Sequence, residues 1–133
     1  MSFLNWTDVL DIGLPLIDDQ HKELFAISND LLDAIARKEG EAALVDIFKR
    51  LREYTEYHFK EEEAYMRSLG YPNMEQHAKE HSKLIVNVNK LRKKIANGDD
   101  VSPEMGAEFI SNWIIDHIMH SDSKIGTYAK SKY

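Results

Sequence analysis

The sequence predicts an all-α fold: an up-down-up-down four-helix bundle with an irregular N-terminal arm and a short C-terminal helix. Three observations carry this. Glycine and proline are confined to a few junctions, the apolar residues between those junctions recur every three or four positions, and the four long segments so defined are joined by short connections. Short connections between helices place consecutive helices antiparallel and adjacent.

Residues 1–18 read as an arm with two apolar anchors, Phe3 and Trp6, packed as a cap over the bundle. The first helix is predicted over 19–38, with His21, Leu24, Ser28, Leu31 and Ile35 on one face. The second, over 41–69, carries Ile47, Leu51, Tyr54, His58, Glu62, Tyr65 and Leu69 at alternating spacings of three and four. The third, over 73–97, repeats the pattern in Met74, His77, His81, Leu84, Val88, Leu91 and Ile95, and Asn73 with Gln76 has the form of a capping box. Ser102-Pro103-Glu104 opens the fourth, over 103–121, whose inward residues are Phe109, Ile110, Trp113, Ile114 and His117. Gly40, Gly70 and Gly98 suit helix C-termini, and residues 122–133 form a short polar tail.

The 133 residues suit one domain, and the charged and apolar fractions, 30% and 43%, are those of a soluble globular chain. No apolar run approaches the ~20 residues of a membrane span. The amino terminus shows no basic region followed by an apolar stretch, so the expected location is cytoplasmic. The absence of cysteine excludes disulfides, thiolate zinc sites and iron–sulfur clusters. A net charge of −6 with no basic cluster argues against nucleic acid as a partner.

What remains to explain is polar. Five of the six histidines, and Glu62, sit on stripes that should face the core, where an unpaired polar or charged group costs several kcal/mol. Alternating helix direction brings His21, His58, Glu62, His77, His81 and His117 to one end of the bundle, at depths that agree within roughly two turns. His58 with Glu62, and His77 with His81, are i, i+4 pairs that project from one helix face. A shared metal centre explains this convergence. Five imidazoles exceed the three or four protein ligands of a common zinc site, so two metals are more economical, and imidazole with carboxylate suits iron.

The chain resembles the hemerythrin family in four motifs: Ile17-Asp18-Asp19-Gln20-His21-Lys22-Glu23-Leu24-Phe25, His58-Phe59-Lys60-Glu61-Glu62, His77-Ala78-Lys79-Glu80-His81 and Trp113-Ile114-Ile115-Asp116-His117-Ile118-Met119-His120-Ser121-Asp122. It is similar to single-domain bacterial members over nearly its whole length, residues 1–133 as one domain, with no appended signalling domain. The resemblance implies two iron ions bridged by Glu62, Asp122 and an oxo or hydroxo group. His77, His81 and His117 would hold one iron, and His21 and His58 the other. It further implies reversible dioxygen binding at the open position of the two-histidine iron, for storage, transport or delivery, in a protein that is not an enzyme. Leu24, Phe59, Trp113, Ile114 and Ile118 would line the oxygen pocket. Dioxygen is then the ligand, an oxygen-consuming protein a candidate client, and a monomer the expected state.

Two other readings compete. The same centre could serve as an oxygen or redox sensor. His77-Ala78-Lys79-Glu80-His81 also fits an inverse-zincin metalloprotease signature, though that leaves His21, His58 and His117 unexplained. Glu80 is expected on the outer side of the third helix with no part in the iron centre, Glu61 and Glu63 on a solvated face, and His120 either behind the ligands or exposed, not itself a ligand. If Asp122 bridges the metals, backbone geometry must respond. His117 and Asp122 are five residues apart, about 140° around a regular helix. A bulge or break within 118–122 is therefore expected, with a short helix after it and the Ser121 hydroxyl bonded to a freed backbone group.

Overall fold

The computed structural model describes residues 11–132, so the Phe3 and Trp6 anchors lie outside it. Its elements are α1 (Pro15–Ala36), α2 (Gly40–Leu69), α3 (Met74–Ala96), α4 (Pro103–His117), a single π-helical turn (Ile118–Asp122) and α5 (Ser123–Lys132). The described residues contain no strand. Side-chain pairs fix the antiparallel order of the first three helices: Gln20 meets His58 while Asp30 meets Arg50 across α1 and α2, and Glu62 meets His77 while Phe59 meets His81 across α2 and α3. α1 packs on α2 and α4, and α2 packs on α3.

The ends of the helices differ from the sequence reading in instructive ways. α1 starts at Pro15, four residues before position 19, because proline in a first turn forfeits only an N–H that has no partner there anyway. The Asp18 carboxylate accepts the N–H of Ile12 at 2.9 Å and so ties the preceding strap to the helix. α1 stops at Ala36, and Lys38 takes a left-handed conformation at φ 61°. Gly40 therefore does not close α1 but opens α2, and packing selects it: a Cβ there would lie 2.8 Å from Pro103 Cβ and 3.0 Å from Ile35 Cγ1.

Gly70 closes α2 in the left-handed region, φ 69°. The capping box at Asn73 does not form; its side chain makes no cap bond and lies against the Tyr71 hydroxyl instead. Ser102 does cap α4, its Oγ accepting from Met105 N at 3.1 Å.

Two apolar clusters result. The larger runs through the body of the bundle and includes Leu24, Leu31, Phe48, Leu51, Val88, Ile110 and Ile114; the smaller holds Met66, Leu69, Tyr71, Ile125 and Ala129 at one end. Along α2 the order is Phe59, Glu62, Met66, and along α4 to α5 it is Ile118, Asp122, Ile125. A polar layer is thus sealed between two apolar ones.

Candidate metal centre

Each helix delivers its polar residue to that layer for a local reason. α1 supplies His21 near its start and α2 supplies His58 and Glu62 one turn apart. α3 supplies His77 and His81 one turn apart, and α4 ends on His117. The π-turn then absorbs the angular excess between His117 and Asp122, so that Asp122 points inward with no accessible surface. His21, His58 and Glu62 are equally inaccessible, and His77, His81 and His117 are nearly so.

The geometry sorts the seven side chains into two sets that share the carboxylates. Glu62, His77, His81, His117 and Asp122 offer ligand atoms within 4.8 Å of one another, and so do His21, His58, Glu62 and Asp122. The division reaches individual oxygens. Nε2 of His77 and of His81 lies 2.8 and 3.0 Å from Glu62 Oε1, and Nε2 of His77 and of His117 lies 2.9 Å from Asp122 Oδ1. The other two oxygens face the other two rings: His58 Nε2 is 3.4 Å from Glu62 Oε2, and His21 Nε2 is 2.9 Å from Asp122 Oδ2 and 3.6 Å from Glu62 Oε2.

These atoms fit metal ions better than they fit each other. Both oxygens of Asp122, Oε2 of Glu62 and Nε2 of His58 are buried with no hydrogen-bond partner, although imidazole nitrogens stand close to the oxygens. The separations are short but the alignment of a hydrogen bond is missing. An orphaned buried polar atom costs about 1–3 kcal/mol, and a cation between the donors relieves several of them at once.

Electrostatics lead to the same conclusion. Burial works against charge on the rings, yet the carboxylates of Asp122 and Glu62 close beside them outweigh it, raising His21 and His77 to about 9; His117, close to Asp122 and bonded to Glu80, rises to about 10. His58 is the exception, because there burial wins and lowers it to about 4. Burial, with the neighbouring Asp122 charge, favours a neutral Glu62, but the nearby His21 and the bonded His77 and His81 pull it down to about 2. Asp122 resists its own burial in the same way and falls well below the usual carboxylate range, held there by His117, His21 and His77. Both acids are anions that demand cations, supplied by protonated rings or by metal.

Three residues outside the predicted set hold the rings from behind, and two of them correct the sequence reading. Glu80 is not idle on an outer face: its Oε1 lies 3.0 Å from His117 Nδ1, and the Ser121 hydroxyl lies 2.7 and 2.6 Å from its two oxygens. Glu80 is held near 2, chiefly by the bond from His117. So engaged, it is not placed as the general base that a zincin needs. Glu63 is not merely solvated either, since its Oε2 lies 3.0 Å from His81 Nδ1. Gln20 completes the group, with Oε1 2.6 Å from His58 Nδ1. Ser121 bonds Glu80 rather than a freed backbone group. A signal for these residues was available: a ligating histidine needs an acceptor for its second nitrogen, and polar residues one position from the ligands are the first place to look. His120 is exposed, 3.7 Å from Asp116 and outside the cluster.

Leu24, Phe59, Trp113, Ile114 and Ile118 are all buried in the large apolar cluster. Phe59 brings that cluster to the polar layer. Its ring stacks on His81 with centroids 3.7 Å apart and planes 2° apart, and lies 5.7 Å from His58 and 5.5 Å from His117. Trp113 sits 6.0 Å from Phe59.

Comparison with known proteins agrees with this architecture. Residues 13–129 match the family model described as "Hemerythrin HHE cation binding domain". The chain is 36% identical over 123 residues to a bacteriohemerythrin of Pseudomonas aeruginosa (strain UCBPP-PA14), covering 92% of this chain and 79% of that one. It is 34% identical over 121 residues to a bacteriohemerythrin of Clostridium acetobutylicum, covering 88% and 94%. A crystal structure of wild-type hemerythrin superposes with a TM-score of 0.84 at 29% identity, covering 96% of this chain and 98% of that one.

Proposed function

This chain belongs to the hemerythrin family, and we propose that it binds dioxygen reversibly at two iron ions held by His21, His58, Glu62, His77, His81, His117 and Asp122. It is an iron-binding protein and not an enzyme; the number of irons, the bridges and the ligand are the content of the proposal. The observation that carries it is the division of carboxylate oxygens. Oε1 and Oδ1 go with three histidines while Oε2 and Oδ2 go with two, so one metal position is a ligand short of the other.

Held by these seven residues, with Glu62 and Asp122 shared between the two positions, two ferrous ions would supply the two electrons that dioxygen takes up on binding and gives back on release. The chain's own residues do the rest. Glu62 and Asp122, anionic and fully buried, place negative charge between two cations. The π-turn sets the Asp122 carboxylate facing His21 and His117 together. Leu24, Phe59, Trp113, Ile114 and Ile118 form the apolar wall that excludes water and holds no acid to protonate a departing anion, which favours release of the ligand unchanged over turnover. Action as a cytoplasmic monomer, storing oxygen or passing it to a client, belongs to the same proposal.

The test is anaerobic loading with ferrous iron followed by cycles of air and vacuum, watched in the visible spectrum. Reversible carriage predicts an absorption that appears in air and disappears under vacuum over many cycles. A spectrum fixed by the first exposure contradicts it.

A further inference from the structure

The five ligand rings are not held alike from behind. On the three-histidine side, His81 Nδ1 faces the Glu63 carboxylate and His117 Nδ1 faces that of Glu80, each at 3.0 Å. On the two-histidine side, His58 Nδ1 faces the neutral amide oxygen of Gln20 at 2.6 Å. We propose that Glu63 and Glu80 are positioning residues that make the two metal positions electronically unequal, holding the three-histidine iron in its ferric state more strongly than its neighbour.

A carboxylate that accepts the N–H of a ligating imidazole draws the proton toward itself and makes the opposite nitrogen a stronger donor. Stronger donation and added negative charge both favour the more highly charged ion. A neutral amide orients the ring but adds no charge.

The placement has a physical basis in access to water. Glu63 opens onto a cleft of about 400 Å³ shared with Phe59, Lys60 and Ser82, and Glu80 onto one of about 90 Å³ shared with Gln76 and Lys124. Solvent stabilises a carboxylate at each of these two places. Gln20 is 5% exposed and its Nε2 has no partner, so a charge there would meet the full desolvation penalty. Glu80 also acts through Ser121, fastening α3 to the π-turn that presents Asp122.

The inference rests on the di-iron reading, and one experiment separates the two. Wild type, E63Q, E80Q and Q20E are loaded with iron, assayed for iron per chain, and reduced stepwise from the diferric state in a spectroelectrochemical cell. The second reduction step, assigned to the three-histidine iron, is expected to move to higher potential in E63Q and E80Q while the first moves little. Q20E is expected to lower the first step. Wild type with two irons, and steps that stay put or move together in the variants, overturns the proposal alone. Wild type with fewer than two irons overturns the di-iron reading and the proposal with it. If E80Q loses iron because the π-turn loosens, E63Q, which does not touch that turn, decides. Loss of iron in both makes the two acids structural and ends the proposal.

Discussion

The apolar body of the bundle and the polar layer between it and the smaller apolar cluster are built on the same helices, yet they are stabilised in opposite ways. Around Leu31, Phe48, Leu51 and Ile110 every contact is non-directional, and any side chain of the right size contributes. Around Glu62 and Asp122 every contact is directional, and the atoms present satisfy only part of one another's needs. One half is complete as a folded chain; the other is completed by its metal. A core substitution should therefore lower stability without loss of metal, whereas loss of a polar-layer ligand should remove both the metal and the stability it adds.

The largest effect is expected from the polar layer. Glu62→Gln removes the anion that faces four of the five rings at 3.6 Å or less, and should abolish two-metal loading, read as iron per chain after reconstitution. Chelation of the wild type should lower its melting temperature by more than any single core substitution, because metal binding to such a site adds directly to folding free energy. The core gives the converse: Leu51→Ala should lower stability by about 2–5 kcal/mol in denaturant titrations and leave the iron count unchanged. If the two variants produced the same pattern, the division between the halves would not hold.

Gly126→Ala tests the boundary. A Cβ at this position would lie 2.0 Å from the Ile12 carbonyl oxygen, so α5 or the strap must shift. Overpacking of this kind costs about 1–3 kcal/mol. Because α5 follows directly on Asp122, some iron should be lost as well, which distinguishes this variant from Leu51→Ala.

Changing pH sharpens the comparison further. His21, His77 and His117 are raised in the metal-free protein to about 9, 9 and 10. A raised histidine contributes stability that is fully present below its unfolded value near 6.5 and is lost as pH rises through the folded value. His58, lowered to about 4, acts in the opposite sense, its contribution being lost as pH falls from about 6.5 toward 4. Metal-free protein should thus weaken between about pH 7 and 10 while the loaded form does not, and loading at pH 7 should release about three protons per chain from these rings. Thermal melts and calorimetry in buffers of different ionisation enthalpy check both. The smallest effect belongs to the surface: Arg50→Ala, which removes a 2.9 Å pair with Asp30, should change stability by less than about 1 kcal/mol.

The same contrast explains what the sequence could show. Periodicity reports which face is buried, so the helices and the inward histidines could be read from it, and the five-residue gap between His117 and Asp122 pointed to the widened turn that spans Ile118–Asp122. Periodicity does not report which neighbour a half-exposed side chain turns to. Glu63 and Glu80 lie beside the inward stripes, and only the packing of α2, α3 and α4 decides that they face His81 and His117. Helix ends were misplaced for a related reason. Gly40 is a glycine because Pro103 and Ile35 approach it from other helices, a tertiary fact that reads locally as a terminator.

The central claim is that Glu62 and Asp122 each divide their oxygens between two metals. Crystals of iron-loaded protein, measured at the iron absorption edge, test it most directly. Two anomalous peaks are predicted, one among His77, His81 and His117 beside Glu62 Oε1 and Asp122 Oδ1, the other beside His21 and His58 with the remaining two oxygens. A single peak, or two peaks that leave Asp122 without a metal contact, would contradict the account.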